Sequence, residues 1–217
     1  MNPPHDERAR SAALLALLIG DVIAARQRLL GSHAQTARRD VVRASLAAME
    51  GMTWLAREHV RTALAQLQRL TPVADLALQE LSYGVSESGK LIEQSRGLPL
   101  LTAIRLLISQ ARIISPEISV DYSTSGWSNL RHAVDIRNRI THPKAAHDLA
   151  VSDADLNIVA SGLSWLAATI EYVMASTNLA LVEYNEDARD LLERLIAGDA
   201  EALAEYEAAL LQPEAEG

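Results

Sequence analysis

The chain contains no cysteine and no phenylalanine. Without thiols it can form no disulfide, no thiolate nucleophile and no cysteine-ligated zinc site. Glycine is sparse, at 10 in 217 residues, and no glycine-rich phosphate loop occurs. Long apolar runs are lacking too. The longest, Ala12 to Gly20, stops at Asp21, well short of the roughly 20 residues that span a bilayer. The mixed charges of Asp6-Glu7-Arg8-Ala9-Arg10 before it, and Val22, Ile23, Leu29 and Leu30 after it, favour a first helix over a signal peptide. A cytoplasmic protein without a membrane partner is expected. A basic excess is also missing. The net charge is −8, so a site for a polyanion has to be a local patch.

What is present is helix-forming. Apolar residues reach 49%, with Ala, Leu, Arg and Glu prominent, and the composition implies an all-α bundle. The first helix is expected from about Asp6 to Leu30, ending at Gly31-Ser32. The second runs from Thr36 to Leu70, where Val42, Leu46, Met49, Thr53, Ala56, Val60, Leu64 and Leu67 make one apolar stripe. Thr71-Pro72 closes it and opens the next segment, about Val73 to Ser95. That segment is weakly helical across Tyr83-Gly84-Val85-Ser86-Glu87-Ser88-Gly89. Further helices are expected over Leu100 to Ile114 and Trp127 to Thr141. Residues 116–126 form a loop between them, with Ser123-Thr124-Ser125-Gly126 as a turn or cap. Ser152-Asp153-Ala154-Asp155 carries the capping pattern of a helix reaching Tyr184. One or two short helices then run to Leu211, and Gln212 to Gly217 form a loose tail. Residues 1–180 are read as the bundle, including its N-terminal helix, and residues 181–217 as a C-terminal appendage.

The helix from Trp127 to Thr141 carries the informative charges. At about 100° per residue, Trp127, Leu130, Ala133, Val134, Ile136 and Ile140 share one apolar arc. Arg137 falls near its middle, where a leucine is expected, and Arg139 on the polar side with His132 and Asp135. Arg139 therefore reads as an ordinary solvated charge. An inward guanidinium needs a carboxylate, a row of carbonyls or an anionic ligand, and Glu50 on the second helix is a candidate partner. Pro143 ends the helix at His142. The imidazole is then free to turn towards Arg137 or towards a second subunit. Asn138 lies on the same rim, Arg131 stands on the same side, and Lys144 adds a nearby cation.

This set of groups supports phosphodiester cleavage without a metal. Histidine titrates near neutrality and can take the proton of a ribose 2′-hydroxyl. Arginine stabilises charge building on the phosphate oxygens. The 2′-oxygen is then the nucleophile, the product a cyclic phosphate, and the substrate RNA rather than DNA.

The string Arg137-Asn138-Arg139-Ile140-Thr141-His142 resembles the signature of the HEPN superfamily (higher eukaryotes and prokaryotes nucleotide-binding), an Arg with a polar follower and a His after four to six positions. The flanking Asp135-Ile136, Pro143-Lys144, Asp148-Leu149 and Val151-Ser152-Asp153 are similar to prokaryotic members. Upstream, so are Arg38-Arg39-Asp40-Val41-Val42-Arg43 and Glu50-Gly51. The resemblance covers about residues 36 to 175. It implies a HEPN-like helical bundle, with extra N-terminal and C-terminal helices in this chain. It also implies a homodimer whose Arg-to-His segments meet at the two-fold axis to form one composite cleft. Many members are metal-independent endoribonucleases of toxin–antitoxin and anti-phage systems. By motif, Arg137 and His142 would be catalytic and Asn138 would support them. Lys144 and Arg131 would bind substrate, with Glu50 supporting. No cofactor is implied, and an antitoxin or defence-system protein would be the partner. Arg28 and His33 repeat the spacing, but with Leu29 after the Arg and Gly31 before the His, and this match reads as chance.

Rival constellations are weaker. His132, His142 and His147 lie within sixteen residues, yet need not share a face, so no metal site is expected. Glu50, Glu58 and His59 read as a salt-bridged helix surface. Ser109, Ser123 and Ser125 lack the elbow context of a serine nucleophile. Trp54, Trp127 and Trp165 fall on helix stripes and read as core rather than as base-stacking platforms. Two other classes stand beside the nuclease: a non-catalytic dimerisation or binding module regulating a partner protein, and a structural bundle with Arg137 locked to Glu50.

Overall fold

The computed structural model describes the backbone of residues 3–32 and 34–210, and the side chains of residues 10–32 and 34–208. The expected tail over 212–217, and His33 of the second Arg-His spacing, lie outside these described residues. Among them are seven α-helices and one two-stranded sheet, which makes the chain all-α in class. The helices are α1 (Pro3–Ser32), α2 (Gln35–Gln66), α3 (Pro72–Leu78), α4 (Leu100–Ile114), α5 (Ser125–Thr141), α6 (Asp153–Ile196) and α7 (Ala200–Leu210). The strands are β1 (Leu81–Val85) and β2 (Leu91–Ser95).

The core forms where α2, α4, α5 and α6 turn their apolar stripes towards one another. Leu46, Met49, Leu107, Leu130 and Leu166 are fully enclosed there. The stripe on α2 keeps the expected spacing, and Val42, Leu46, Met49, Ala56, Val60 and Leu64 are all buried. α1 packs along α2 at the edge of this core.

Local chemistry sets the helix starts. The Thr71 hydroxyl accepts the Ala74 N–H at 3.2 Å, with Pro72 at the first helical position. Thr124 caps α5. At the start of α6, Ser152 Oγ accepts from Asp155 N–H at 3.1 Å, and the Asp155 carboxylate accepts from Ser152 N–H at 2.9 Å. This is the reciprocal capping expected from the sequence.

Three boundaries differ from expectation. α2 stops at Gln66 rather than Leu70, because Gln68 adopts a left-handed φ of 55° and Arg69 N–H returns to the Leu64 carbonyl at 2.8 Å. α3 ends at Leu78, and a hairpin takes the place of the expected helix. Its strands pair antiparallel with Tyr83 opposite Glu93. The residues Ser86 to Gly89 that weaken a helix form the turn, with Gly89 at a φ of 76°. Finally, α6 runs beyond Tyr184 to Ile196, so the expected boundary between positions 180 and 181 falls within a continuous helix. Its buried positions end at Thr177.

α6 also contains an 18-residue window long and apolar enough to cross a membrane by length and composition, of which 28% is buried. In this fold one face of α6 packs on α5 and α2. α6 comes close to the α5 backbone at Gly162, where an added Cβ would lie 2.9 Å from the Leu130 Cα and 3.0 Å from its backbone nitrogen. That glycine lets α5 sit directly on α6.

Candidate functional site

α5 buries Trp127, Leu130, Ala133, Ile136 and Ile140, the arc expected from its periodicity. Arg137 starts on that arc but does not end inside it. Its side chain is 31% exposed, and its Nη2 donates to Glu50 Oε1 at 2.6 Å across to α2. A long side chain that starts on an apolar arc can carry its charged end out to the rim. The Arg137–Glu50 pair is thus present, at the half-exposed edge of the core rather than within it.

Arg139, by contrast, is not an ordinary solvated charge. Its Nη1 donates to the Asp148 carbonyl at 3.1 Å and the Ala150 carbonyl at 2.7 Å, and its Nη2 meets Asp155 Oδ2 at 3.2 Å. The wheel placed it on the polar side, but the loop after His142 folds back over that side. α2 staples the same loop from its N-terminal turns. Gln35 exchanges two hydrogen bonds with the Val151 backbone at 2.8 and 3.2 Å. Arg39 donates to the Leu149 carbonyl at 3.0 Å, and Arg38 pairs with Asp153 at 2.7 Å. The Arg38-Arg39 part of the sequence pattern therefore has a structural use here.

His142 closes α5. Its backbone N–H donates to the Asn138 carbonyl at 2.9 Å, and its side chain is exposed, as is that of Asn138. Among the described residues no hydrogen bond joins the side chains of Arg137, Asn138 and His142. They share the C-terminal end of α5 without forming a bonded triad in one chain. Arg131 is exposed two turns earlier, about 20° from Asn138 around the helix. Lys144 is exposed, and its backbone N–H donates to Asp148 Oδ2 at 2.8 Å. Ala145 N–H donates to the same oxygen at 2.9 Å. These two backbone donors hold the Asp148 carboxyl below its ordinary range, with smaller contributions from His147 and Arg139.

The remaining candidates separate. Glu58 pairs with Arg61 at 3.0 Å, and His59 meets the Thr177 hydroxyl at 2.8 Å in a half-buried contact. Among the described residues no group of three or more His, Asp or Glu is arranged to hold a metal ion. Trp127 is core, stacked edgewise on Tyr122 at 4.8 Å and tilted against Trp165 at 5.4 Å. Trp54 is not core. It is 46% exposed, on the flank of the α2 stripe.

One buried charge escaped the reading from sequence. Arg57 is 3% exposed, and its Nη2 meets Glu80 Oε1 at 2.7 Å. The signal was available. Arg57 lies four residues after Thr53, three before Val60 and seven before Leu64, on the buried stripe itself.

Comparison with protein-family models, with curated proteins and with solved structures finds no match to this chain.

Proposed function

We propose that this protein is a metal-independent endoribonuclease of the HEPN type, acting as a homodimer in toxin–antitoxin or anti-phage defence in the cytoplasm. The observation that carries the reading is the clustering of Arg137, Asn138 and His142 at one exposed helix end, followed by Pro143 and a loop stapled by Arg139, Arg39 and Gln35. A charged donor, an amide and an imidazole lie at the surface on a rigid support, as a site for a large polyanion requires.

In this reading two such ends face each other across the two-fold axis. His142 takes the proton of a ribose 2′-hydroxyl, and the 2′-oxygen attacks phosphorus. The bond from phosphorus to the 5′-oxygen breaks, and the partner's His142 protonates that leaving oxygen. The products are a 2′,3′-cyclic phosphate and a 5′-hydroxyl. Arg137 stabilises the negative charge on the non-bridging oxygens, Asn138 orients the phosphate, and Lys144 and Arg131 bind the flanking backbone. An antitoxin or other defence-system protein would hold this surface until release.

The Arg137–Glu50 ion pair favours a second reading, in which that arginine is permanently satisfied and the same face serves as a non-catalytic interaction surface or a purely structural bundle. Incubation of structured and unstructured RNAs in EDTA with wild type, Arg137→Ala and His142→Ala decides between them. Cleavage by the wild type alone, with cyclic-phosphate ends by mass spectrometry and a dimer by sedimentation, supports the nuclease. Equal background from all three, across varied RNAs, overturns it in favour of the second reading.

A further inference from the structure

Among the described residues no third strand extends the β1–β2 hairpin. β1 packs on β2 and, at its start, on α3. A lone pair of short strands is marginal in water unless a helix or further strands support an apolar face. Here such a face is open. Leu81, Tyr83 and Val85 of β1 point to the same side as Leu91 of β2. Tyr83 is 56% exposed, Val85 72% and Leu91 76%.

The hairpin's own hydrogen bonds define the free edge of β1. Ser86 N–H donates to the Lys90 carbonyl at 2.9 Å, and Arg96 N–H donates to the Glu80 carbonyl at 2.7 Å. Hydrogen-bonded and non-hydrogen-bonded pairs alternate along an antiparallel ladder. With Glu80–Arg96 and Ser86–Lys90 bonded, the register makes Ser82–Gln94 and Gly84–Ile92 bonded pairs too. The backbone N–H and C=O groups of Leu81, Tyr83 and Val85 therefore point away from β2. Among the described residues no backbone bond to another element takes them up. An edge of this kind is a template for another strand.

The residues of that edge say which strand fits. Leu81-Ser82-Tyr83-Gly84-Val85 has the same pattern in both directions: apolar, small, tyrosine, small, apolar. Antiparallel pairing of two copies about Tyr83 sets Leu81 opposite Val85, Ser82 opposite Gly84 and Tyr83 opposite Tyr83. The outward backbone groups of all three residues then fall in hydrogen-bonded pairs. The strand carries no charge, so nothing in it repels its copy. The same operation on β2 about Glu93 sets Glu93 against Glu93 and Lys90 against Arg96. Like charges directly opposite are destabilising. The β2 edge is thus guarded against its copy, and the β1 edge is not.

We infer that β1 is a self-association edge, at which two copies of this chain join β1 to β1 about a two-fold axis at Tyr83. The product is a four-stranded antiparallel sheet. The contact is isologous, so it closes as a dimer and does not propagate. It lays both Leu81-Tyr83-Val85 rows on one face, where Leu81 of each copy covers Val85 of the other. It uses no residue of the α5 end and stands or falls apart from the ribonuclease reading.

The test is sedimentation velocity of the full chain, with the helices checked by circular dichroism. Tyr83→Lys and Tyr83→Glu each place two like charges at the axis, and each is expected to halve the wild-type mass. An equimolar mixture of the two variants pairs opposite charges and is expected to restore it, which also shows that both are folded. Cross-linking gives a second readout. The chain has no cysteine, so Tyr83→Cys supplies one unique thiol. Cα atoms in a hydrogen-bonded antiparallel pair lie about 5.5 Å apart, within disulfide reach. Tyr83→Cys is expected to give a covalent dimer with diamide. Glu87→Cys is expected to give none, because the two turns lie roughly 25 Å apart along the paired strands. A mass unchanged by Tyr83→Lys, a mixture that stays at the lower mass, or cross-linking no greater at Tyr83→Cys than at Glu87→Cys overturns the inference.

Discussion

Arg137 on α5 and Glu50 on α2, 87 positions apart in sequence, meet at 2.6 Å on the rim of the core with 31% and 50% of their side chains exposed. A pair this open is worth about 0–1 kcal/mol, because water screens both charges. The fold therefore does not depend on it, and on the proposed reading a substrate phosphate would compete for the guanidinium. Arg137→Ala and Glu50→Ala are each expected to shift Tm by no more than about 4 °C. Their effects on RNA cleavage should part. On the proposed ribonuclease reading, loss of Arg137 would remove transition-state stabilisation and lower kcat by about 100-fold or more. Loss of Glu50 removes only a positioning contact and should cost roughly tenfold. Parallel melting curves and cleavage assays check this, and equal effects of the two changes on cleavage would contradict it.

Arg139 should behave in the opposite way. It ties the Asp148 and Ala150 carbonyls and the Asp155 carboxylate to α5. Hydrogen bonds to charged groups contribute about 1.5–3 kcal/mol each when shielded, and a half-exposed site keeps only part of that. Arg139→Ala is expected to destabilise the protein by about 1–2 kcal/mol, more than Arg137→Ala. Urea denaturation of the two variants side by side gives the comparison. A smaller loss for Arg139→Ala would show the loop clamp to be unimportant.

Gly162 is a packing requirement, whereas Gly20 is not. A Cβ at Gly162 would press on the Leu130 backbone at 2.9 and 3.0 Å, while one at Gly20 meets nothing within 4 Å. The backbone of α5 cannot yield as a flexible side-chain tip would. Gly162→Ala should therefore cost about 1–3 kcal/mol, outweighing its gain in helix propensity. Gly20→Ala should gain about 0.5–1 kcal/mol, through propensity alone. Thermal melting with opposite signs for the two alanines is the expected result.

The loop after His142 should loosen in acid. Backbone N–H groups of Lys144 and Ala145 hold the Asp148 carboxyl below the usual range of an aspartate. A depressed carboxyl adds stability that is fully present above the unfolded pKa and is lost as pH falls through the lower folded value. Protection of the Lys144 and Ala145 amides from hydrogen exchange, after correction for intrinsic rates, should fall in that acid window in the wild type. Asp148→Asn should show reduced protection already at neutral pH. Unchanged protection in the variant would remove Asp148 from this role.

Much of the architecture was legible in the local pattern. The caps at Thr71, Thr124 and Ser152 and the break at Pro143 are chemical statements made within four residues, and each stands where the pattern put it. The apolar stripe on α2 and the arc on α5 were readable because helical periodicity needs only one chain segment. The hairpin was not. Its residues weaken a helix, but the antiparallel pairing of Leu81–Val85 with Leu91–Ser95 depends on a partner strand rather than on spacing.

The site divides along the same line. That Arg137, Asn138 and His142 stand together at a helix end follows from their order and from the proline after them. A helical wheel gives the direction of a Cβ but not the reach of a long side chain. It set Arg137 inside when its guanidinium reaches the rim, Arg139 in solvent when a returning loop covers it, and Trp54 in the core when nearly half of it stays exposed. Spacing could have put Arg57 on the buried stripe, but not shown that two of its nitrogens would be enclosed and unpaired beside a cavity. Periodicity is a property of one helix. Burial, pairing and cavities belong to the surfaces that other elements bring against it, and these were decided only when α2, α4, α5 and the loop after His142 packed together.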